Sequence, residues 1–419
     1  LVDEQPVQLI ADVSRLSLPI IELSELEDEE REREVRRQVT AEAQAPFSLA
    51  EGPLFRVKLL RLGEEEHVLL ATMHHIISDG WSLGVLMGEV SALYGAYSRG
   101  EQSPLAELPI QYADFSVWQR QWLTGEVLEA QLEYWREQLG GELPVLELAT
   151  DRVRPAVQSQ RGALQALSLS EELSGQLKEL SRREGVTLFM VLLAAWQTLL
   201  FRYTGQQDVV VGTDIANRNQ GATEGLIGFF VNQLVLRTDL SGEPSFRELL
   251  KRVREVCLGA YAHQDVPFEK LVEELQPERN LSRSPLFQIV FTFQNAPVGV
   301  LELPELKISS LPDTRNSAKF DVVLAMTEQD RRLTGGINYS TDLFDESTIQ
   351  RLIKHFEILL KNIVADPEQR LSRLTLVDQE EQALLIEFNE TQREYQRGVT
   401  LQELFAEQVE RTPEAVAVR

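Results

Sequence analysis

The feature that most restricts the fold is a repeated exchange between short apolar runs and longer stretches of helical periodicity, spanning residues 162–365. GALQALSLS (162–170) reads as a strand and is followed by a helix over Glu171–Arg183. LFMVLLAAWQTLLF (188–201) is apolar on nearly every side, which predicts a buried helix over Leu188–Tyr203 with Thr187 as its N-cap. DVVVGTDIA (208–216) and VNQLVLRTDL (231–240) read as buried strands, Ser245–Ala262 as a helix and LFQIVFTF (286–293) as a strand. FDVVLAMT (320–327) and LTGGINYS (333–340) form an expected antiparallel pair, and Asp345–Ala365 an amphipathic helix. A chain patterned this way must lay helices over sheets, so the fold class is α/β or α+β.

The first third carries a different arrangement. Val68–Met73 is a compact apolar run expected to be a buried strand, and it ends in His74, His75 and the turn Ser78-Asp79-Gly80. LGVLMGEVSALYGAY (83–97) then places Leu83, Leu86, Met87, Val90, Leu93, Tyr94 and Tyr97 on one helical face. The acidic run ELSELEDEERERE (22–34) reads as a solvated helix face with opposite charges at helical spacing. Beyond about residue 370 the chain turns polar, as a linker with one short helix would. Residues 401–419 then start a new helix, a Pro-containing turn and an incipient strand.

Composition removes several function classes. A net charge of −25 over 419 residues argues against sequence-independent nucleic-acid binding and against a polybasic membrane surface. The single cysteine, Cys257, allows no intrachain disulfide and no cysteine-built zinc site; among apolar neighbours it reads as a buried, inert thiol. The longest apolar run is too short to span a bilayer, and no repeat is found. The chain opens on Leu without a signal peptide, so the expectation is a segment of a longer polypeptide, located in the cytoplasm.

Chemistry concentrates in MHHIISDGWS (73–82). Neighbouring side chains at a strand end point to opposite sides, so one imidazole can face a cleft while the other supports it. A neutral imidazole can take a proton from a nucleophile and return it to a leaving group. Asp79 could brace the loop by pairing with an arginine, and Gly80 could offer a free amide and an unusual backbone geometry. On residues alone, a structural role for the histidine pair competes with a catalytic one. Adjacent rings seldom chelate one ion, so the metal reading is weak. There is no phosphate-binding loop, glycine-rich nucleotide fingerprint or serine nucleophile elbow.

MHHIISDGWS resembles the signature of the condensation domain superfamily of nonribosomal peptide synthetases, which includes chloramphenicol-type acetyltransferases. YADFSVW (112–118), IGFFVNQLVLR (227–237), HQDVPFE (263–269) and RNLSRSPLF (279–287) resemble later blocks of that family in the family's order. NETQREY (389–395) and the helix from Leu401 look like the lead into an adenylation domain. The resemblance implies two chloramphenicol-acetyltransferase-like lobes in a V-shaped pseudo-dimer, the first lobe incomplete. The implied divisions are an N-terminal lobe at 1–122, a C-terminal lobe at 123–370, a linker at 371–397 and an adenylation start at 398–419.

The same resemblance implies an amide-forming acyltransferase with His75, His74, Asp79 and Gly80 as site residues. The acceptor's α-amine would attack a donor acyl or peptidyl thioester, with L-configured donor and acceptor. Both substrates would ride on phosphopantetheine arms of partner carrier domains, with no cofactor or metal held by the chain itself. The family's arginine partner for the motif aspartate belongs to an earlier block, so Asp79 is expected to lack its ion pair here. Trp118 and Phe115 read as packing, and Asn232 as either a backbone bridge or a cleft residue. His263, Gln264 and Asp265 read as fixing the contact between lobes, and Arg283 as a structural ion-pair former. A dual epimerisation/condensation domain and an inactive carrier-docking module remain the alternatives.

Overall fold

The computed structural model describes residues 7–10, 16–277, 280–294, 301, 303–311, 317–392 and 398–416. Residues up to Leu374 form one compact unit and those from Thr375 a second. The first unit opens with β1 (Ile20–Glu22), α1 (Asp28–Gln44), β2 (Phe55–Arg61) and β3 (His67–Met73). β1 lies parallel to β2, and β2 antiparallel to β3. The acidic run is therefore part strand and part helix, and its charges pair within α1, as in Arg36–Glu32 at 2.8 Å and Arg37–Glu34 at 2.6 Å. Near the end of α1, Glu42 is buried and gathers Arg56 (2.7 Å) and Lys58 (2.5 Å) from β2. Leu23, Leu60 and Leu70 form a small core beneath this sheet.

Three helices follow, α2 (Gly80–Ser98), α3 (Tyr112–Trp122) and α4 (Gly125–Leu139). The larger layer then begins with β4 (Gly162–Ser168), α5 (Glu171–Glu184), α6 (Leu188–Thr204) and β5 (Asp208–Ile215). It continues through β6 (Asn232–Asp239), α7 (Phe246–Ala262), α8 (Phe268–Leu275) and β7 (Ile289–Gln294). β8 (Val322–Gln329), β9 (Arg332–Ser340) and α9 (Glu346–Ala365) complete the unit. The second unit holds α10 (Gln379–Asn389) and α11 (Leu401–Arg411). Most expected elements are present, including Thr187, whose side chain accepts from the Met190 amide. The strand expected at 286–293 starts only at Ile289, because Leu286 has a left-handed backbone (φ 63°) that ends any extended run there. The incipient strand expected at the C-terminus lies partly outside the described residues.

Strands β4-β9-β8-β7-β5-β6 form one mixed sheet, parallel where β7 meets β5 and β8 and antiparallel elsewhere. Its two faces differ. Val209, Val211, Leu236, Phe291, Leu324 and Ile337 are fully buried on one, where Phe291 meets Phe189 of α6 with ring centroids 5.4 Å apart. The opposite face carries Asp214, Gln233, Thr292, Gln294, Val323 and Ala325, all exposed or half-buried. The first face is core, whereas the second buries Val210, Val235 and Val290 and opens to solvent only around positions such as Asp214, Gln294 and Ala325.

The helix expected at 83–97 forms, but its apolar face is not core. Leu83, Val90, Tyr94 and Tyr97 are all exposed, and the helix buries only Ser82, Gly95 and Ala96. No single described helix is long and apolar enough to cross a membrane.

Candidate active site

At the end of β3 the chain leaves the sheet through a short 3-10 turn, His75–Ile77, and enters α2. His74 caps this turn, its Nδ1 accepting from the Ile76 amide at 3.0 Å, while its ring meets Phe47 edge-on. That bond places the His74 proton on Nε2. His75 points elsewhere, remains exposed, and sets its ring against the edge of Phe229 at 5.1 Å. One imidazole supports and its neighbour is accessible.

Asp79 has two functions at once. It N-caps α2, its Oδ1 accepting from the Ser82 amide (2.8 Å) and hydroxyl (2.7 Å). Its Oδ2 accepts the Phe230 and Val231 amides at 3.0 and 3.2 Å, from a segment some 150 residues away in sequence. Arg218, in the loop after β5, closes the network with Nη2 at 3.1 Å from Oδ1. Both side chains are almost fully enclosed. The expectation that Asp79 lacks its partner is thus corrected: Arg218 supplies the charge from within the chain. Arg218 also donates to the carbonyls of Thr223 (2.5 Å) and Leu226 (2.7 Å) and lies 4.1 Å over the Phe230 ring. Burial alone would raise the Asp79 carboxyl, but the Ser82 bonds, the Phe230 amide and Arg218 outweigh it and hold the group below its ordinary value.

The same segment is stitched twice more. Ser82 Oγ accepts the Gly228 amide (3.1 Å) and lies 2.9 Å from the Gly228 carbonyl, an alternative acceptor for its one proton, and Tyr112 Oη donates to the Phe229 carbonyl at 2.9 Å. A Cβ on Gly228 would sit 2.3 Å from the Tyr112 ring, so glycine is required for that approach. The loop 73–82 and the segment 227–231 are therefore one structure, with His75 and Phe229 meeting at their junction.

Gly80 departs from expectation in its backbone but not in its amide. Its backbone is not in the left-handed region, and a Cβ would meet only Gln294 Nε2 at an ordinary 3.5 Å. What it contributes is position: as the first residue of α2, its amide makes no hydrogen bond among the described residues and lies at the positive end of the helix dipole.

The other named residues divide. Asn232 is a backbone bridge: buried, it donates to the Gln264 and Val266 carbonyls (2.9 and 2.8 Å) and accepts from the Phe268 amide. His263 stacks on Tyr134 at 4.1 Å and Asp265 accepts from Gln131, so this stretch holds α4. That places its contact inside the expected C-terminal lobe and not between lobes. Phe115 packs on Phe230 at 4.8 Å, but Trp118 is 40% exposed and stacks on Trp122. Arg283 makes no ion pair with the described residues, and its Nε is buried without a partner; the ion pair nearby is Arg154–Asp321. Burial pushes the Cys257 thiol up to about 12, consistent with an inert side chain. Sequence reasoning missed Arg218, Ser82 and Phe229; an Arg directly past a buried strand was the available signal for the first.

A family model described as "Condensation domain" matches residues 2–386. The chain belongs to the condensation domain family. The domain is 50% identical over 419 residues to one of the linear gramicidin synthase proteins of Brevibacillus parabrevis, covering 99% of this chain and 8% of that protein. It thus spans under a tenth of the length of the curated relatives it matches first. Among solved structures, the X-domain from teicoplanin biosynthesis matches with a TM-score of 0.80 and 31% identity, covering 88% of this chain and 83% of that one. A four-domain nonribosomal peptide synthetase matches in fold at TM-score 0.80 and 23% identity, covering 94% of this chain and 31% of that one. The condensation domain is a mixed α/β structure like these neighbours.

Proposed function

We propose that this condensation domain is an acyltransferase that forms amide bonds in peptide assembly. An acceptor aminoacyl α-amine attacks a donor acyl or peptidyl thioester, an amide forms, and the donor's thiol arm is released. The observation that supports this reading best is the accessible His75 ring, held at the junction of two segments that Asp79, Ser82 and Tyr112 bind together. A ring fixed there can position the amine or take its proton. Proximity supplies much of the acceleration once both reactants are oriented. The free Gly80 amide at the start of α2 is suited to the negative charge that develops on the thioester oxygen.

Both substrates arrive on phosphopantetheine arms of carrier domains, and the chain works beside an adenylation domain whose start lies near residue 398. Donor and acceptor are both L-configured in this reading. Residues 1–122 and 123–370 act as two lobes with the site between them. His74 orients the turn, and Asp79 holds it in place.

The test is His75→Ala in the complete synthetase, with dipeptidyl product on the downstream carrier as the readout. General acid–base roles are worth about 10²–10⁴-fold, so a loss of that size is expected. A change below about threefold sinks the role of His75 as base. Undiminished carrier binding with no turnover in the wild type would favour an inactive docking module.

A further inference from the structure

The exposed end of β5, on the second face of the six-stranded sheet, carries one carboxylate, Asp214. Directly across the ladder, Gln233 donates its Nε2 to Asp214 Oδ1 at 2.9 Å. The same face adjoins the histidine loop, where Gln294 Nε2 lies 3.5 Å from the Cβ position of Gly80, and the charges of His75 and Lys319 favour the ionised carboxylate. Neither forms an ion pair with it. Three other aspartates of this unit are matched by arginine, Asp208 by Arg237 at 2.8 Å, Asp79 by Arg218 and Asp321 by Arg154, whereas Asp265 has only the Gln131 amide. Asp214 likewise has only an amide. Water reaches it along the strand, yet the protein packed around it strips enough solvent to push its carboxyl above the ordinary value despite Gln233, Lys319 and His75. A partly desolvated carboxylate without a cation is a site for one.

We propose that Asp214 seats the α-ammonium group of the acceptor and presents its nitrogen to His75. This rests on the amide-forming reading and names the substrate class of that site as a primary amine. An α-amino group titrates near about 7.7–8.0, so an acceptor at neutral pH arrives largely protonated. Of its three N–H protons, one passes to Asp214 and on to solvent. The nitrogen lone pair then forms the C–N bond with the thioester carbonyl carbon while His75 takes a second proton. As the C–S bond breaks, its electron pair goes to sulfur, and His75 delivers that proton there. The products are an amide bearing one N–H, a thiol and one proton released.

Asp214→Asn in the complete synthetase tests this, with a soluble aminoacyl thioester as acceptor and rates followed from about pH 6 to about pH 9.5, across the α-amino range. The expected result is a rise of roughly 10- to 100-fold in acceptor KM near pH 7, the scale of one charge-assisted hydrogen bond. The defect should shrink at high pH, where the amine is neutral and asparagine can still accept from it. The donor's KM should not move. Because the fold disfavours the ionised carboxylate, removing its charge should leave Tm unchanged or raise it. A normal acceptor KM, a defect equal at every pH, or a loss that tracks a lowered Tm each overturns the proposal. His75→Ala separates the two readings. Full turnover in that variant overturns amide formation through His75, whereas its loss beside a normal Asp214→Asn variant overturns only the role of Asp214.

Discussion

Two helices of similar length sit at opposite extremes of burial. α6 has 17 residues, and the unbroken run from Met190 to Leu200 is buried. α2 has 19, and only Ser82, Gly95 and Ala96 are buried. Both look strongly apolar in the sequence. The difference lies in their surroundings: α6 is packed among α5, α7, α9 and two strands, whereas α2 is anchored at its first turn. α6 works through its middle, as core. α2 works through its N-terminus, where Asp79 caps it and ties the histidine loop to residues 228–231. Apolar content predicts that a helix forms far better than it predicts what the helix does.

The sharpest way to break this comparison is at that anchor. Asp79→Ala strands Arg218 in the interior and leaves the Phe230 and Val231 amides without an acceptor. Removing one partner of a buried pair typically costs about 3–5 kcal/mol, and amide formation should fall with it. Urea unfolding paired with product analysis checks both. Stability close to wild type would show that the junction does not depend on this pair.

Leu193→Ala attacks the other helix. Leu193 is fully buried, and a leucine truncated in such a core loses about 2–5 kcal/mol. At permissive temperature, amide formation by the folded fraction should stay near normal, since no residue of the site is touched. An activity loss out of proportion to unfolding would mean that core packing sets the site's geometry directly.

How far each region was legible in the sequence follows the same division. Strands and helices of the larger sheet were readable because burial on one face and periodicity agree, as at Thr187 and β8–β9. The histidine loop was readable as a motif, including the split between a supporting and an accessible imidazole. Arg218 was not readable as the partner of Asp79, because 139 residues separate them and no periodicity links a loop arginine to a distant cap. Gly80 was readable for its free amide but not for its backbone: glycine suggests an unusual geometry, while here it stands at an ordinary helix start. The exposed face of α2 misled because spacing identifies a stripe and not what covers it.

A pH prediction narrows the comparison to one proton. The Asp79 carboxyl is held below its unfolded value near about 3.9, so its stabilisation is fully present above that value and is lost as pH falls through the lower folded one. Wild type and Asp79→Asn should therefore differ by a constant amount from neutral pH down to about pH 5, and converge only below about pH 4. Thermal unfolding over that range reads the difference. Convergence at higher pH would mean that Asp79 is not held low.

The smallest effect belongs to the apolar face of α2. Leu83 is 43% exposed one turn after the cap, and truncating it to alanine removes little buried area. Alanine also has the better helix propensity, so the expected change is within about 0.5 kcal/mol of zero. The measurement is urea unfolding of Leu83→Ala beside Leu193→Ala in the same background. The ratio of the two matters more than either value, since both remove the same atoms from a helix of similar length. A large loss at Leu83 would show that this face is covered in solution, and the contrast between the helices would then reduce to which partner each one meets.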